Sequence, residues 1–287
     1  MAVILCADRT SDLSEELMEQ YHIHTQPYHI LLDGKEYLDG IDICPEDIYN
    51  VYHEKHILPK TSAVNVGEYL ELFRPYVEAG DEVVHFNLGS ALSSSHQNAL
   101  LAAAELGNVY VIDGRNLSCG VALQVVDAAK MIAEGKNAVE IKDYFDQHHG
   151  CYHASFLVDS LEFLHAGGRC SSAAAFSAGL LNIRPGIDVD NSDGSMTMGK
   201  KYRGSLEKVL AKYFKDKLSA YDDICLDRVF VPDSGCLEPG TREKIDELIL
   251  NILPFKEIIH VSASCTISSH CGPRVVGLMF STNTPSK

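Results

Sequence analysis

Glu82-Val83-Val84-His85-Phe86-Asn87, the polar run Gly89-Ser90-Ala91-Leu92-Ser93-Ser94-Ser95, and Val109-Tyr110-Val111-Ile112 beyond it decide the fold class. The two apolar runs, rich in β-branched and aromatic residues, read as buried strands, and the stretch between them, through Leu100 to Glu105, reads as a helix. Strands joined by crossover helices lie parallel in a sheet covered on both faces. Working outward, Val3 to Ala7 reads as another buried strand and Ser14 to Tyr21 as a short helix. Ile30 to Ile43 looks hairpin-like with its turn at Asp33-Gly34, and Asn65-Val66-Gly67-Glu68 fits a capping box opening a helix to about Ala79. Helices near Gly120 to Glu134 and Asn137 to Gln147 complete a first half of α/β character.

From Tyr152 the pattern restarts, with Ser155 to Val158 as a strand and a Gly- and Ser-rich segment at Gly167 to Ser172. Ile183 to Asp190 and Met196 to Tyr202 form a β-hairpin, because Asp193-Gly194 supplies the positive φ that its turn needs. Helices at Leu206 to Lys217 and Arg242 to Ile252 flank a strand at Arg228 to Val231, and strands at Ile258 to Ser262 and Val275 to Phe280 close the chain. The chain of 287 residues exceeds a typical single domain. Two α/β domains are expected, over 1–150 and 151–287.

Composition removes several function classes. With 40 acidic against 24 basic residues the net charge is −16, so a nucleic-acid phosphate backbone would meet repulsion over most of the surface. The nine cysteines are odd in number and form no CxxC pair, which argues against a disulfide framework or structural zinc and for buried thiols in the cytoplasm. The N-terminus lacks the basic flank of a secretory signal, and no apolar run is long enough to span a membrane.

Five polar segments sit at predicted strand ends, where ligands bind in open α/β sheets. They are Asp8 to Leu13, Lys60-Thr61-Ser62, the Gly89 to Ser95 loop, Gly167-Gly168-Arg169, and Ser268 to Pro273. Each has a bland reading: Ser93 to Ser95 as a helix cap, Thr61 as a turn residue, His270 as an exposed loop residue, Arg169 as a surface ion pair. Taken together, hydroxyl donors, an imidazole and a guanidinium suit one carboxylate. Asp8 and Asp12 could chelate magnesium, although Asp12 equally fits a helix cap. His148-His149-Gly150-Cys151-Tyr152-His153 reads as a solvated terminus, not a metal site. Gly167-Gly168-Arg169 lacks the spacing of a nucleotide-binding loop.

Several short motifs recur in a fixed order: Asp8 to Leu13 after an opening strand, Thr61-Ser62, Leu92-Ser93, and Asp159 to Leu164 running into Gly167-Gly168-Arg169. Leu181-Asn182-Ile183-Arg184-Pro185, Asp193-Gly194 and His270-Cys271-Gly272-Pro273 follow. In this ordered set the chain resembles the DegV family of bacterial fatty-acid-binding proteins over nearly its whole length. The resemblance implies two α/β domains with a lipid tunnel at their interface and a long-chain fatty acid, such as palmitate, as ligand. It implies that Thr61, Ser93 and His270 hold the carboxylate, with Arg169 near the head group and Ser62, Ser94, Ser95 and Gly168 behind them. It further implies no cofactor, no metal and no catalysis of the chain's own, a carrier role in fatty acid metabolism or lipid transport, and a fatty acid kinase as partner; transient membrane contact is compatible with such a carrier. Arg9, Ser94-Ser95-His96, Cys271 and Arg274 depart from the family pattern, Arg274 standing where a glycine is usual.

Two other readings compete. In a hydrolase, Ser93 would be activated by His270 and oriented by Asp8 or Asp12, although no GxSxG elbow is present. In a metabolite-binding regulatory module, the same loops would grip hydroxyl groups.

Overall fold

The computed structural model describes residues 1–172 and 183–285. In chain order the first half contains β1 (Val3–Asp8), α1 (Glu15–Gln20), β2 (His24–Gln26), β3 (His29–Leu32), β4 (Lys35–Leu38), α2 (Pro45–Lys55), β5 (Lys60–Ser62), α3 (Val66–Glu78), β6 (Glu82–Asn87), α4 (Ser95–Leu106), β7 (Val109–Asp113), α5 (Cys119–Ala133) and α6 (Ala138–His148). The second half contains β8 (Tyr152–Leu157), α7 (Glu162–Gly167), β9 (Ile183–Val189), β10 (Met196–Arg203), α8 (Leu206–Leu218), β11 (Val229–Asp233), α9 (Thr241–Leu250), β12 (Ile258–Ser262), α10 (Cys265–Cys271) and β13 (Val276–Ser281). Leu181 and Asn182 of the quoted motifs lie outside the described residues.

The opening reading holds for the first half. Strands β2-β1-β6-β7 form a four-stranded sheet in which every pair is parallel. The capping box that opens α3 closes as expected: Glu68 N donates to Asn65 Oδ1 (3.1 Å) and Asn65 N to Glu68 Oε2 (2.8 Å). The turn at Asp33-Gly34 has positive φ at both residues (50° and 76°), the conformation that a two-residue hairpin demands.

The second half is not a repeat of this winding. Its six strands run β10-β9-β8-β13-β11-β12, and only β11 and β12 pair in parallel. The hairpin of β9 and β10 turns with Gly194 at φ 82°, as its Asp-Gly step requires. Strand β8 begins at Tyr152, three residues earlier than the sequence reading had it.

Two features join the halves. Helix α5 packs on β1 and β6 of the first sheet and on β8, β11 and β13 of the second, and ten of its residues are buried, Gln124 among them. A helix apolar on nearly every side has no solvent face to present, which is why Val121-Ala122-Leu123 and Val125-Val126 lie between the layers. The second joint is a small antiparallel sheet, β4-β3-β5, with α2 beside it. Its Ile30, Leu32, Ile48 and Tyr49 share a buried cluster with Phe163 of α7 and Cys265 of α10, so this part of the first half is packed against the second.

Candidate functional site

Between the two larger sheets lies a cavity of about 960 Å³, counting the solvent at its mouth. Its walls are apolar and come from both halves: Leu88, Leu92 and Leu117 on one side, Phe156, Met196 and Met279 on the other. Thr61, Ser62, Ser93, Ser94, Arg169 and His270 all line it, although they come from four separate stretches of chain. Gly168 and Ser95 do not line it.

The local structure around these residues differs from their sequence readings. Thr61 is not in a turn; it is the central residue of β5, paired with Ile30 of β3. His270 is not in an exposed loop; it lies near the C-terminus of α10 and is half-buried. Its Nε2 is 2.8 Å from Thr61 Oγ1, a hydrogen bond whose donor depends on the imidazole tautomer. Burial, and after it the Arg169 guanidinium, pushes the His270 pKa down to about 4, so the ring is neutral at pH 7. Ser93 precedes α4 and its Oγ lies 3.0 Å from Ser95 Oγ while accepting from Ser95 N (3.2 Å). The buried Ser95 hydroxyl in turn accepts from Val64 N (3.1 Å), tying the start of α4 to the chain just beyond β5. Arg169 makes no surface ion pair among the described residues. Its Nη1 donates to Gly167 O (2.7 Å) and its Nε to Leu92 O (3.3 Å), which holds an exposed guanidinium at the cavity mouth.

Tyr28 carried no local sequence signal, and Gly167, quoted within its Gly-Gly-Arg segment, acts in a way that segment does not announce. Tyr28 lines the cavity and donates to Asp8 Oδ2 (2.9 Å). Gly167 lies so close to His270 that a Cβ there would overlap the imidazole Nδ1. Gly167→Ala is therefore expected to push His270 off Thr61 and to cost about 1–3 kcal/mol of stability through overpacking. Urea unfolding of the single variants and of the double variant with His270→Ala checks this: relief of the penalty in the double variant identifies the imidazole as the obstacle.

The aspartates have structural surroundings. Asp8 is fully buried and accepts from Tyr28, Tyr69 (2.7 Å), His85 (3.2 Å), Asn87 (3.1 Å) and the Leu88 N–H (2.9 Å). Burial alone would raise its pKa, but the donors led by His85 outweigh it and hold the group below the usual carboxylate value. Asp12 is not the cap of α1, a place taken by Ser14. It sits in the left-handed region (φ 54°) after a single 3₁₀ turn and accepts from Ser118 Oγ (2.5 Å) and Ser264 N (2.9 Å). Asp39, also fully buried, accepts from Cys265 N (2.7 Å) and Thr266 N (2.9 Å). The helix bearing His270 is thus anchored at its N-terminal end by two carboxylates from the first half, where backbone N–H groups and the helix dipole favour negative charge.

His148 to His153 is not a solvated terminus either. His153 points into the protein at 5% exposure, with Nε2 3.1 Å from Thr282 Oγ1 and Nδ1 3.2 Å from Asn191 Nδ2. Burial pushes its pKa down to about 4. No group of three or more potential metal ligands occurs among the described residues. No helix among them is long and apolar enough to cross a membrane.

Fold and site together define an α/β protein with a largely apolar cavity, lined from both halves, whose polar lining includes several hydroxyls and a histidine. The chain belongs to the DegV family: residues 2–283 match the model described as "Uncharacterised protein, DegV family". A DegV domain-containing protein of Caldanaerobacter subterraneus is 28% identical over 283 residues, covering 97% of this chain and 98% of its own. Among solved structures, a fatty-acid-binding DegV family protein from Thermus thermophilus superposes with a TM-score of 0.84 at 28% identity, over 98% of this chain and 100% of its own. A stearic-acid-binding protein from Eubacterium ventriosum does so with a TM-score of 0.83 at 26% identity, covering 98% of each chain.

Proposed function

We propose that this protein binds one long-chain fatty acid, with the acyl chain in the cavity between the sheets and the carboxylate at its mouth against Thr61, Ser93 and His270. The observation that carries this reading is the meeting of those three side chains, from β5, the turn before α4, and α10, at the edge of an apolar cavity. Burying an acyl chain of about fourteen methylenes is worth on the order of 10 kcal/mol before losses in chain and translational entropy, so the tail supplies the affinity. The carboxylate then needs hydrogen bonds or water, because an unpaired charge in an apolar site would cancel much of that gain. Two hydroxyls and a neutral imidazole meet the need without full charge neutralisation. The fatty-acid ligands of the Thermus and Eubacterium relatives support the same reading.

In this reading residues 1–150 and 151–287 act as the two domains, the cavity is the lipid tunnel, and the protein is a cytoplasmic carrier without catalysis of its own. The exposed Arg169 at the mouth leaves the head group reachable by a separate fatty acid kinase. The hydrolase alternative requires Ser93 to contact His270, but Ser93 is bonded to Ser95 and the His270 Nε2 to Thr61. A module for polar metabolites fits poorly with walls of leucine, phenylalanine and methionine.

Native mass spectrometry of the purified protein is expected to find a retained fatty acid. Palmitate is expected to raise the melting temperature of the delipidated chain, and Ser93→Ala and His270→Ala should each lower its affinity about tenfold, the worth of one charge-assisted hydrogen bond. Absence of any lipid together with no shift on adding palmitate would overturn the assignment, and turnover of an ester lost on Ser93→Ala would replace it with the hydrolase.

A further inference from the structure

The buried polar side chains of the cavity wall can be accounted for one by one. Tyr28 donates to Asp8 (2.9 Å), Ser118 to Asp12 (2.5 Å) and Ser234 to Gly272 O (2.6 Å), while Asp233 is bound by Arg242 (2.6 Å). Besides His270 Nδ1, which is also without a partner among the described residues, Thr266 is different. It lines the same cavity, its side chain is 3% exposed, and its Oγ1 has no hydrogen-bond partner among the described residues. Its backbone N–H is committed to Asp39, so the hydroxyl is the only polar group it has left to offer the cavity besides its carbonyl.

The ordinary escape for a helical threonine is to bond a carbonyl one turn back. Thr266 is the second residue of α10, and the residues one turn back, Ser262 and Ala263, precede the helix. A lone hydroxyl kept from water carries the desolvation penalty with nothing to offset it. An oxygen carried on the ligand brings the partner already tethered. Thr266 lies four residues, about 6 Å along the helix, from the imidazole proposed to hold the carboxylate, so that oxygen belongs near the head of the chain and not at its tail.

We propose that the Thr266 hydroxyl recognises a hydroxyl on the ligand's acyl chain close to the carboxylate, making a β-hydroxy fatty acid the preferred ligand class. This deepens the fatty-acid reading above and rests on it. Calorimetric titration of the delipidated full chain with palmitate and with β-hydroxypalmitate tests it. The hydroxy acid is expected to bind about tenfold more tightly, the equivalent of satisfying one buried hydroxyl. Thr266→Val, which keeps the shape and removes the hydroxyl, should bring the two acids to the same Kd, and Thr266→Ser should restore the preference. Equal affinities in the wild type, or a preference that survives Thr266→Val, would overturn the proposal while leaving the fatty-acid reading intact. Failure of the wild type to bind palmitate or β-hydroxypalmitate would sink both.

Discussion

Asp8→Ala is expected to cost the fold at least about 4 kcal/mol, a loss beyond that of most single substitutions. The carboxylate is a junction of the first sheet: it closes β1, gathers two tyrosine hydroxyls from β3's approach and α3, and takes donors from His85 and Asn87 of β6 and from the chain leaving it. Removing it leaves four side-chain donors and one backbone N–H facing an apolar hole, each unpaired group costing about 1–3 kcal/mol unless water enters. Asp8→Asn should be costly as well, because its amide would present a donor to a ring of donors. Urea unfolding followed by far-UV circular dichroism measures both, and a loss under about 1 kcal/mol for Asp8→Ala would mean that the network is replaceable. The same crowding explains why the magnesium and hydrolase roles considered for this residue have no geometry to stand on: its oxygens are occupied and fully buried.

Three strands of the first half's parallel sheet, β1, β6 and β7, were legible because they are short apolar runs separated by amphipathic helices, a pattern fixed by local periodicity. The polar edge strand β2 (His24–Gln26) was not read. The order of the second sheet was not legible either, since it depends on β13 returning from the end of the chain to lie between β8 and β11, a pairing no local signal encodes. Helix α2 was missed although Pro45 at its first turn with Glu46 and Asp47 is a start signal. Helix α10 was read as a loop for a sound reason: Cys-Thr-Ile-Ser-Ser-His-Cys has low helix propensity, and the segment is helical because Ser264, Asp12 and Asp39 satisfy its first N–H groups. Thr61, Ser93, His270 and Arg169 were picked out through their chemistry and family motifs, and the fold brings them to one cavity. Tyr28 was invisible because it matters through Asp8, far away in sequence; Gly167 was quoted in its motif but could not be tied to His270 for the same reason; and nothing local shows that the Thr266 hydroxyl ends up buried without a partner among the described residues.

The anchoring of α10 makes a second large effect, with a sign that can be worked out. Burial raises the Asp12 pKa from 3.8 to about 7, with the nearby Asp39 carboxylate adding to the shift and the bonds from Ser118 and Ser264 opposing it. The folded value lies above the unfolded one, so the fold holds a proton there; the associated stability is complete below about pH 4 and is lost as pH rises through 7. A shift of that size corresponds to about 4 kcal/mol. The buried histidines act in the opposite sense: His153 and His270 are both pushed down to about 4, so their share is present above pH 6.5 and lost as pH falls toward 4. Wild-type melting therefore mixes two opposed slopes, and a difference measurement is needed to separate them. Asp12→Asn cannot ionise, can still accept from Ser264 N through its amide oxygen, and can donate to Ser118 through its amide nitrogen. Its stability relative to wild type is expected to improve by about 2–3 kcal/mol between pH 5 and pH 8, read from urea midpoints at matched ionic strength. A difference that stays flat over that range would show that Asp12 is ionised throughout, and the tie between the first half and the helix of His270 would then be an ordinary charge-assisted cap.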